Sequence, residues 1–340
     1  MGSRLLIAVA AGLALADAGI LGQPELLDRI DLAVAAGNGE RDLALDGRIL
    51  ETTGAGEPSG AGLNQRLMTG LRPTLYLGQL SNLLAGNISI VHKATGSSRT
   101  FKGEEMAGVA ALEDAVGRLG AGQSELMLVG GALNAERQDL LLNLELGAAL
   151  LQSSYRPVWA REEAGGGMVP GSIGAFLVLE TPAHAAARGA RPYASVATVV
   201  ADRSRRRSGD GAAAARTLMQ TVAPLIGGGR PRGILSGASG VEPATREERR
   251  FLDELADAGR GGAVRAYGSL LGHGMEAHFI AGVALAALAL SKRSFYPPFD
   301  GTEQESERPV DRGPILVTSF GHCRGEALGL VEAVAGNCRG

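Results

Sequence analysis

Aromatic residues make up only 4% of this 340-residue chain. Its core must therefore be built from alanine, leucine, valine and isoleucine packed at close range. Cysteine is nearly missing too, with Cys323 and Cys338 the two present. That excludes a disulfide framework and a CxxC metal site, and points to a reducing cytoplasm. No excess of one charge exists, since 33 basic residues stand against 36 acidic ones. This balance argues against a nucleic-acid binder. The apolar run Phe279–Leu290 falls short of the ~20 residues needed to span a bilayer, so no membrane anchor is expected. GxxxxGK[ST], a strand-to-helix GxGxxG, GxSxG and HExxH are all lacking. Their absence removes support for nucleotide binding, serine-hydrolase chemistry and zinc proteolysis. His273 and His278, the closest histidines, are not spaced to share a helical face, so no metal is expected.

Glycine, by contrast, is abundant, with 51 residues, about double ordinary usage. There is no Gly-X-Y period and 45% of the chain is apolar, which excludes collagen and disorder. Short β-branched or leucine-rich runs alternate with alanine-rich stretches, the pattern of layered α/β proteins. Strands are expected at Asp31–Ala35, Ser124–Leu128, Ala175–Leu179, Ser195–Val200, Gly233–Leu235 and Ile315–Thr318. Helices are expected at Arg4–Ala18, Thr74–Ala85, Glu105–Leu119, Pro182–Arg188, Ala212–Leu225, Thr245–Ala258, Ala277–Leu290 and Gly325–Ala335. Several strands run into glycine, as at Val129-Gly130-Gly131, Ser236-Gly237 and Phe320-Gly321. Backbone can approach a ligand or another backbone closely there. Glu51–Gly62 and Asp202–Ala212 read as exposed loops, the second carrying Arg203, Arg205, Arg206 and Arg207. Residues 1–17 have a short basic start, an apolar run and an Ala14-Leu15-Ala16 ending. On pattern alone they fit a secretory signal or a buried helix equally well.

A set of motifs in order narrows the field. Asn82-Leu83-Leu84-Ala85-Gly86-Asn87 precedes a strand-like Ile88-Ser89-Ile90, and Leu126-Met127-Leu128-Val129-Gly130-Gly131 follows a helix. Met168–Glu180, Gly272-His273 and Ser319-Phe320-Gly321 come next. From about Arg4 to about Val331 the chain resembles the elongating β-ketoacyl-[acyl carrier protein] synthases, condensing enzymes of the thiolase fold. The resemblance implies two related α/β halves, 1–180 and 181–340, stacked as a five-layer αβαβα sandwich that works as a dimer. It also implies a first half shortened at its N-terminus, lacking the family's first strand, and places residues 1–17 in a helix of the fold.

The resemblance further implies where the catalytic groups belong. The family's nucleophilic cysteine, held at a helix N-terminus where the dipole favours a thiolate, falls on Glu105. A carboxylate is a poor nucleophile toward a thioester and a good helix cap. The family's first histidine falls on Ala238 and its lysine on Gly268, while its second histidine is retained as His273. The oxyanion loop begins at Phe320 and Gly321 and departs into His322-Cys323-Arg324, with Cys323 away from the nucleophile position. Condensation needs a thiolate for the acyl group and histidines for the enolate oxyanion, so this set is incomplete.

Two functions follow from the resemblance. In the first, the chain is a non-catalytic subunit of fatty-acid or polyketide synthesis, akin to a chain-length factor. It would pair with an active ketosynthase, or with itself, and shape the acyl tunnel. Leu80, Leu83 and Leu84 would reach the tunnel or pack at the interface, and Arg99 and Lys102 would line the dimer seam. In the second, it is a β-ketoacyl synthase or related acyl-thioester enzyme with a site built on Glu105 and His273. Either way no cofactor is expected beyond the phosphopantetheine arm of an acyl carrier protein, with Arg203, Arg205, Arg206 and Arg207 as a carrier contact.

Overall fold

Two sheets share one pair of helices, and that sharing sets the architecture. The computed structural model describes residues 3–39, 41–54, 60–70, 77–203, 207–226, 230–305 and 313–334. The first part of the chain contains α1 (Ser3–Asp17), α2 (Pro24–Leu27), β1 (Asp31–Ala36), α3 (Leu43–Gly54), α4 (Gly60–Gly70) and α5 (Asn82–His92). It continues through β2 (Ser98–Lys102), α6 (Glu105–Gly120), β3 (Leu126–Leu133), α7 (Gln138–Leu146), β4 (Ile173–Glu180) and α8 (Pro182–Ala187). The second part holds β5 (Ser195–Asp202), α9 (Asp210–Val222), β6 (Gly233–Ser236), α10 (Ala244–Asp257), β7 (Ala263–Ala266) and α11 (Gly268–Leu271). It closes with α12 (His278–Lys292), β8 (Ile315–Phe320) and β9 (Glu326–Glu332).

The sheets run β2-β1-β3-β4 and β5-β9-β8-β6-β7. In the first, β1 lies parallel to β2 and β3, and β4 is antiparallel to β3. In the second, β6 lies parallel to β7 and β8, and β9 is antiparallel to β8. The two orders therefore repeat, with β5 added beyond β9. Among the described residues, β5 has no counterpart beyond β4.

Strand periodicity decides what each sheet buries. On β1, Leu32 and Val34 pack with Ile7, Ala11 and Leu15 of α1 and with Ile88 of α5. Ala33 and Ala35 face the other way, into the cluster of α6 and α12. That central layer also receives Leu235, Val317, Ala327 and Val331 from the second sheet. Ile234, Leu316, Leu328 and Leu330 point outward against Leu218 and Met219 of α9 and Phe251 and Leu252 of α10. The result is a thiolase-like five-layer αβαβα sandwich. A small residue is required within the first sheet as well: a Cβ on Gly130 of β3 would lie 2.2 Å from the ring of Phe176, its partner on the neighbouring strand β4.

Some sequence expectations are corrected. Gly325–Ala335 is not a helix, because residues 326–332 form β9, paired on both sides with β8 and β5. Ile88-Ser89-Ile90 lies inside α5 and is not a strand. The helix expected over Thr74–Ala85 is interrupted: Leu77 and Gly78 are helical, the chain turns over 79–81, and α5 starts at Asn82, while residues 71–76 lie outside the described set. Glu51–Gly62 is not wholly loop, since α3 runs to Gly54 and α4 starts at Gly60. With its preceding 3₁₀ turn, α12 makes an apolar stretch, Met275–Lys292, of 18 residues, long and apolar enough to cross a membrane, and 67% of it is buried inside the fold. The strands β2 and β7 carried too little β-branched or aromatic signal to be read from the sequence.

Candidate active site at the start of the central helices

The N-termini of α6 and α12 converge on one buried cluster. Glu105 is the first residue of α6 and is 2% exposed. A Cβ on Gly108 would meet the Glu276 carbonyl at 2.3 Å, so glycine lets α6 lie against the turn between α11 and α12. That turn carries His273, and α12 opens with His278. The His273 and His278 rings stack at 4.1 Å, and Tyr267 covers the far side of His278 at 4.4 Å. His273 Nδ1 accepts from the Met275 backbone N–H at 3.3 Å. Its Nε2 then faces Glu105 Oε1 at 3.9 Å, beyond hydrogen-bond range.

The main partner of Glu105 comes from the loop after β8. Glu105 Oε1 accepts the backbone N–H of His322 at 2.9 Å and also the ring N–H at Nδ1. The other ring nitrogen of His322 lies 3.3 Å from Cys323 Sγ, and Cys323 is exposed. Burial pushes the Glu105 carboxyl up, but His322 and then His273 outweigh it and hold it well below the usual carboxylate range. Burial opposes charge on His322, yet Glu105 and the Cys323 contact together raise it. His273 is driven down to about 4 by burial, against the pull of Glu105. At neutral pH the cluster is thus an ionised glutamate, a cationic His322 and a neutral His273.

The other positions singled out in the sequence separate into two groups. Glu105, His273 and Gly321 come together: a Cβ on Gly321 would lie 3.3 Å from Glu105 Oε2. Ala238 and Gly268 are neighbours on the far side of His278. A Cβ on Gly268 would meet Ala238 O at 3.1 Å, Val158 at 3.5 Å and His278 at 3.7 Å. Phe320 turns its ring away, 6.0 Å from Phe251 in the outer layer. The Gly321 N–H donates to Gly325 O at 2.9 Å and the His322 N–H to Glu105. Both of those loop N–H groups are engaged within the protein.

The remaining positions lie away from the cluster. Leu80 is 48% exposed, Leu83 is half-buried, and Leu84 packs under α1. Arg99 on the edge strand β2 pairs with Asp114 of α6 at 2.9 Å, and Lys102 is exposed at the end of that strand. Arg203 and Arg207 are exposed, while Arg205 and Arg206 lie outside the described residues.

His322 was not identified from sequence as a site residue. The one signal for it was its place directly after Phe320-Gly321. His278 and Arg161 were missed as well. Arg161 is buried beneath the loop that follows Ala238, donating to Ser239 O at 3.0 Å, and its charge helps lower His273.

The family model "Beta-ketoacyl synthase, N-terminal domain" matches residues 2–185. The chain belongs to the β-ketoacyl synthase family. It is 30% identical over 194 residues to a 3-oxoacyl-[acyl-carrier-protein] synthase 2 of Rhizobium meliloti (strain 1021), a match covering 55% of this chain and 43% of that one. The aligned part is less than half of that relative's length. The ishigamide ketosynthase/chain length factor superposes with a TM-score of 0.78 at 20% identity, covering 98% of this chain and 83% of that one. The ketosynthase from module 6 of the bacillaene synthase of Bacillus subtilis 168 superposes with a TM-score of 0.73 at 15% identity, covering 99% of this chain and 58% of that one. A third neighbour, AntDE:AntF, is described as a type II PKS acyl-carrier protein in complex with its ketosynthase bound to the hexaketide. Its TM-score is 0.70 at 16% identity, with 98% of this chain and 84% of that one covered. These likenesses show the ketosynthase fold.

Proposed function

We propose that this chain is a subunit of fatty-acid or polyketide synthesis that does not itself condense. In this reading it pairs with an active β-ketoacyl-[acyl carrier protein] synthase and shapes that partner's acyl tunnel. The observation that carries it is the Glu105–His322 pair. Glu105, read as taking the place of the family's nucleophile, is a carboxylate locked to a cationic imidazole, and two loop N–H groups are engaged inside the protein. A carboxylate held this low is also a weak general base, which counts against an enzyme built on Glu105 and His273.

Pairing is proposed along β2, which among the described residues is the outermost strand of the first sheet and so could accept a second strand. Leu80, which is exposed, and Leu83, which is not part of the core cluster that Leu84 joins, would reach toward the tunnel. Leu84 serves this chain's own core. Arg203 and Arg207, with Arg205 and Arg206, would meet an acidic carrier protein by charge. A reducing cytoplasm suits the free thiol of Cys323. Co-expression with a cysteine-bearing synthase encoded nearby tests the reading. A one-to-one complex that condenses only when both chains are present supports it. A chain that purifies as a homodimer and condenses alone overturns it.

A further inference from the structure

Arg161 is a cation buried without an ion-pair partner. It is 1% exposed. Its Nε donates to Arg156 O at 2.9 Å, and its Nη1 donates to Ser239 O at 3.0 Å and to Gly167 O at 3.4 Å. Nη2 has no hydrogen-bond partner, and among the described residues no carboxylate forms an ion pair with the guanidinium. Asp300 acts on it only from a distance, with its two oxygens engaged by the backbone N–H groups of Trp159 at 3.2 Å and Thr302 at 2.7 Å. A fully buried arginine is almost always paired, and a buried donor left unmet calls for an acceptor.

A cavity of about 360 Å³ opens to the surface beside this group, with walls that include Tyr155, Pro170, Ser269, Leu270, Leu271 and Phe299. Tyr155 joins the two features: it lines the cavity, and Arg161 Cζ lies 5.9 Å from the centre of its ring. Its hydroxyl donates to Ser269 O, and the residue is 52% exposed. The wall on the Arg161 side is therefore half open to solvent and anchored by that hydrogen bond. Ser269 Oγ accepts the Val158 N–H at 2.9 Å, which leaves its own proton for an acceptor in the cavity. At the Phe299 wall two buried carboxylates, Asp300 and Glu305, accept backbone N–H groups. That wall repels an anion, and the Tyr155 wall, backed by Arg161, attracts one.

We propose that this cavity is a binding site for a small monocarboxylate with an apolar body. The carboxylate moves the Tyr155 ring aside and accepts from Arg161 Nη2 and the Ser269 hydroxyl, while the body covers Leu270, Leu271 and Phe299. Such a ligand supplies the missing anion through a charge-assisted hydrogen bond, which is stronger than one between neutral groups. It also takes three exposed apolar side chains out of water. The volume lies at the small end of ligand pockets, roughly 300–1,000 Å³. The site adjoins the buried cluster without entering it: Gly272 lines the cavity, while the ring of the next residue, His273, stacks on His278. Binding here makes no covalent bond and needs no second chain, so it goes beyond the pairing role.

The test titrates the full chain calorimetrically with 4-phenylbutanoate and with 4-phenylbutan-1-ol, which has the same body and no charge. The carboxylate should bind about tenfold tighter than the alcohol, or better. Amide NMR shifts on binding should centre on Leu270, Leu271 and Gly272. Arg161→Gln should abolish the preference and leave the two probes about equal. If Arg161→Gln does not fold, Leu270→Glu decides, since it changes an exposed side chain on the cavity wall. Its added negative charge should weaken the carboxylate by about tenfold and the alcohol far less. No binding of the carboxylate to the folded parent, equal affinity for both probes, or shifts centred elsewhere overturns the proposal. So does a folded Arg161→Gln that keeps the preference, or a Leu270→Glu that weakens both probes alike. Pairing is scored separately by co-purification without either probe, so the two readings fail independently.

Discussion

Glu105 and His322 lie 217 positions apart and are joined twice through one carboxylate oxygen, by the backbone N–H of His322 at 2.9 Å and by its ring. The pair links the start of a central helix to the loop that leaves the second sheet. Removing one member leaves a buried charge without its partner, at a cost of about 3–5 kcal/mol.

Stability should report this pair through pH. Glu105 is depressed, so its contribution is present above its ordinary value of 4.5 and is lost as pH falls through the folded value. His322 is raised, so its contribution is complete below 6.5 and is lost as pH rises through the folded value. The gap in unfolding free energy between wild type and His322→Gln should therefore be widest between those two values. Urea titrations at acid, mildly acid and alkaline pH measure it. A gap that does not vary with pH would show that the pair is not ionised.

Glu248 on α10 should act in the opposite sense. It is fully buried, accepting from Ser236 at 2.6 Å and from Thr318, and burial raises it to about 7 despite both hydrogen bonds. Its stabilisation is complete below 4.5 and fades as pH rises through the folded value. Glu248→Gln keeps an acceptor for both hydroxyls and cannot ionise. Thermal melts should place it a few degrees above wild type at pH 8.5 and level with it near pH 4.5. Equal shifts at both pH values would contradict this account.

The isolated chain should show neither condensation nor malonyl decarboxylation above background. Glu105→Cys alone should not restore either, because Ala238 and Gly268 remain and a Cβ on Gly268 already meets Ala238 O at 3.1 Å. Product release from radiolabelled malonyl carrier checks both variants. Robust synthesis by the Glu105→Cys chain would return the site to ordinary condensing chemistry.

Length control should separate the three leucines. An apolar tunnel favours each added methylene by ~0.8 kcal/mol, so a stop must act through steric overlap, costing ~1–3 kcal/mol. In complex with an active partner, Leu80→Ala or Leu83→Ala should lengthen products by a few carbons, and Leu83→Phe should shorten them. Leu84→Ala should instead lower thermal stability, since Leu84 packs under α1. Native product length from both Leu80 and Leu83 variants would remove them from the tunnel.

The sequence alone determined the layered α/β class, the family and most elements. These are local or ordered signals: alternation along strands, alanine-rich helical stretches, and glycine where strands end. It misread residues 326–332, whose alanine, leucines and glutamates favour helix, because pairing with β8 on one side and β5 on the other outweighs intrinsic propensity. It likewise misread Ile88–Ile90, whose β-branched residues suggest a strand while Ile88 packs beneath α1. The tertiary structure alone decided what Glu105 does. Its charge state depends on His322 and His273, brought to it from the loop after β8 and the turn before α12. Coulomb attraction and hydrogen bonding act through space at a few ångströms, and no pattern along the chain records which residues will meet at that range.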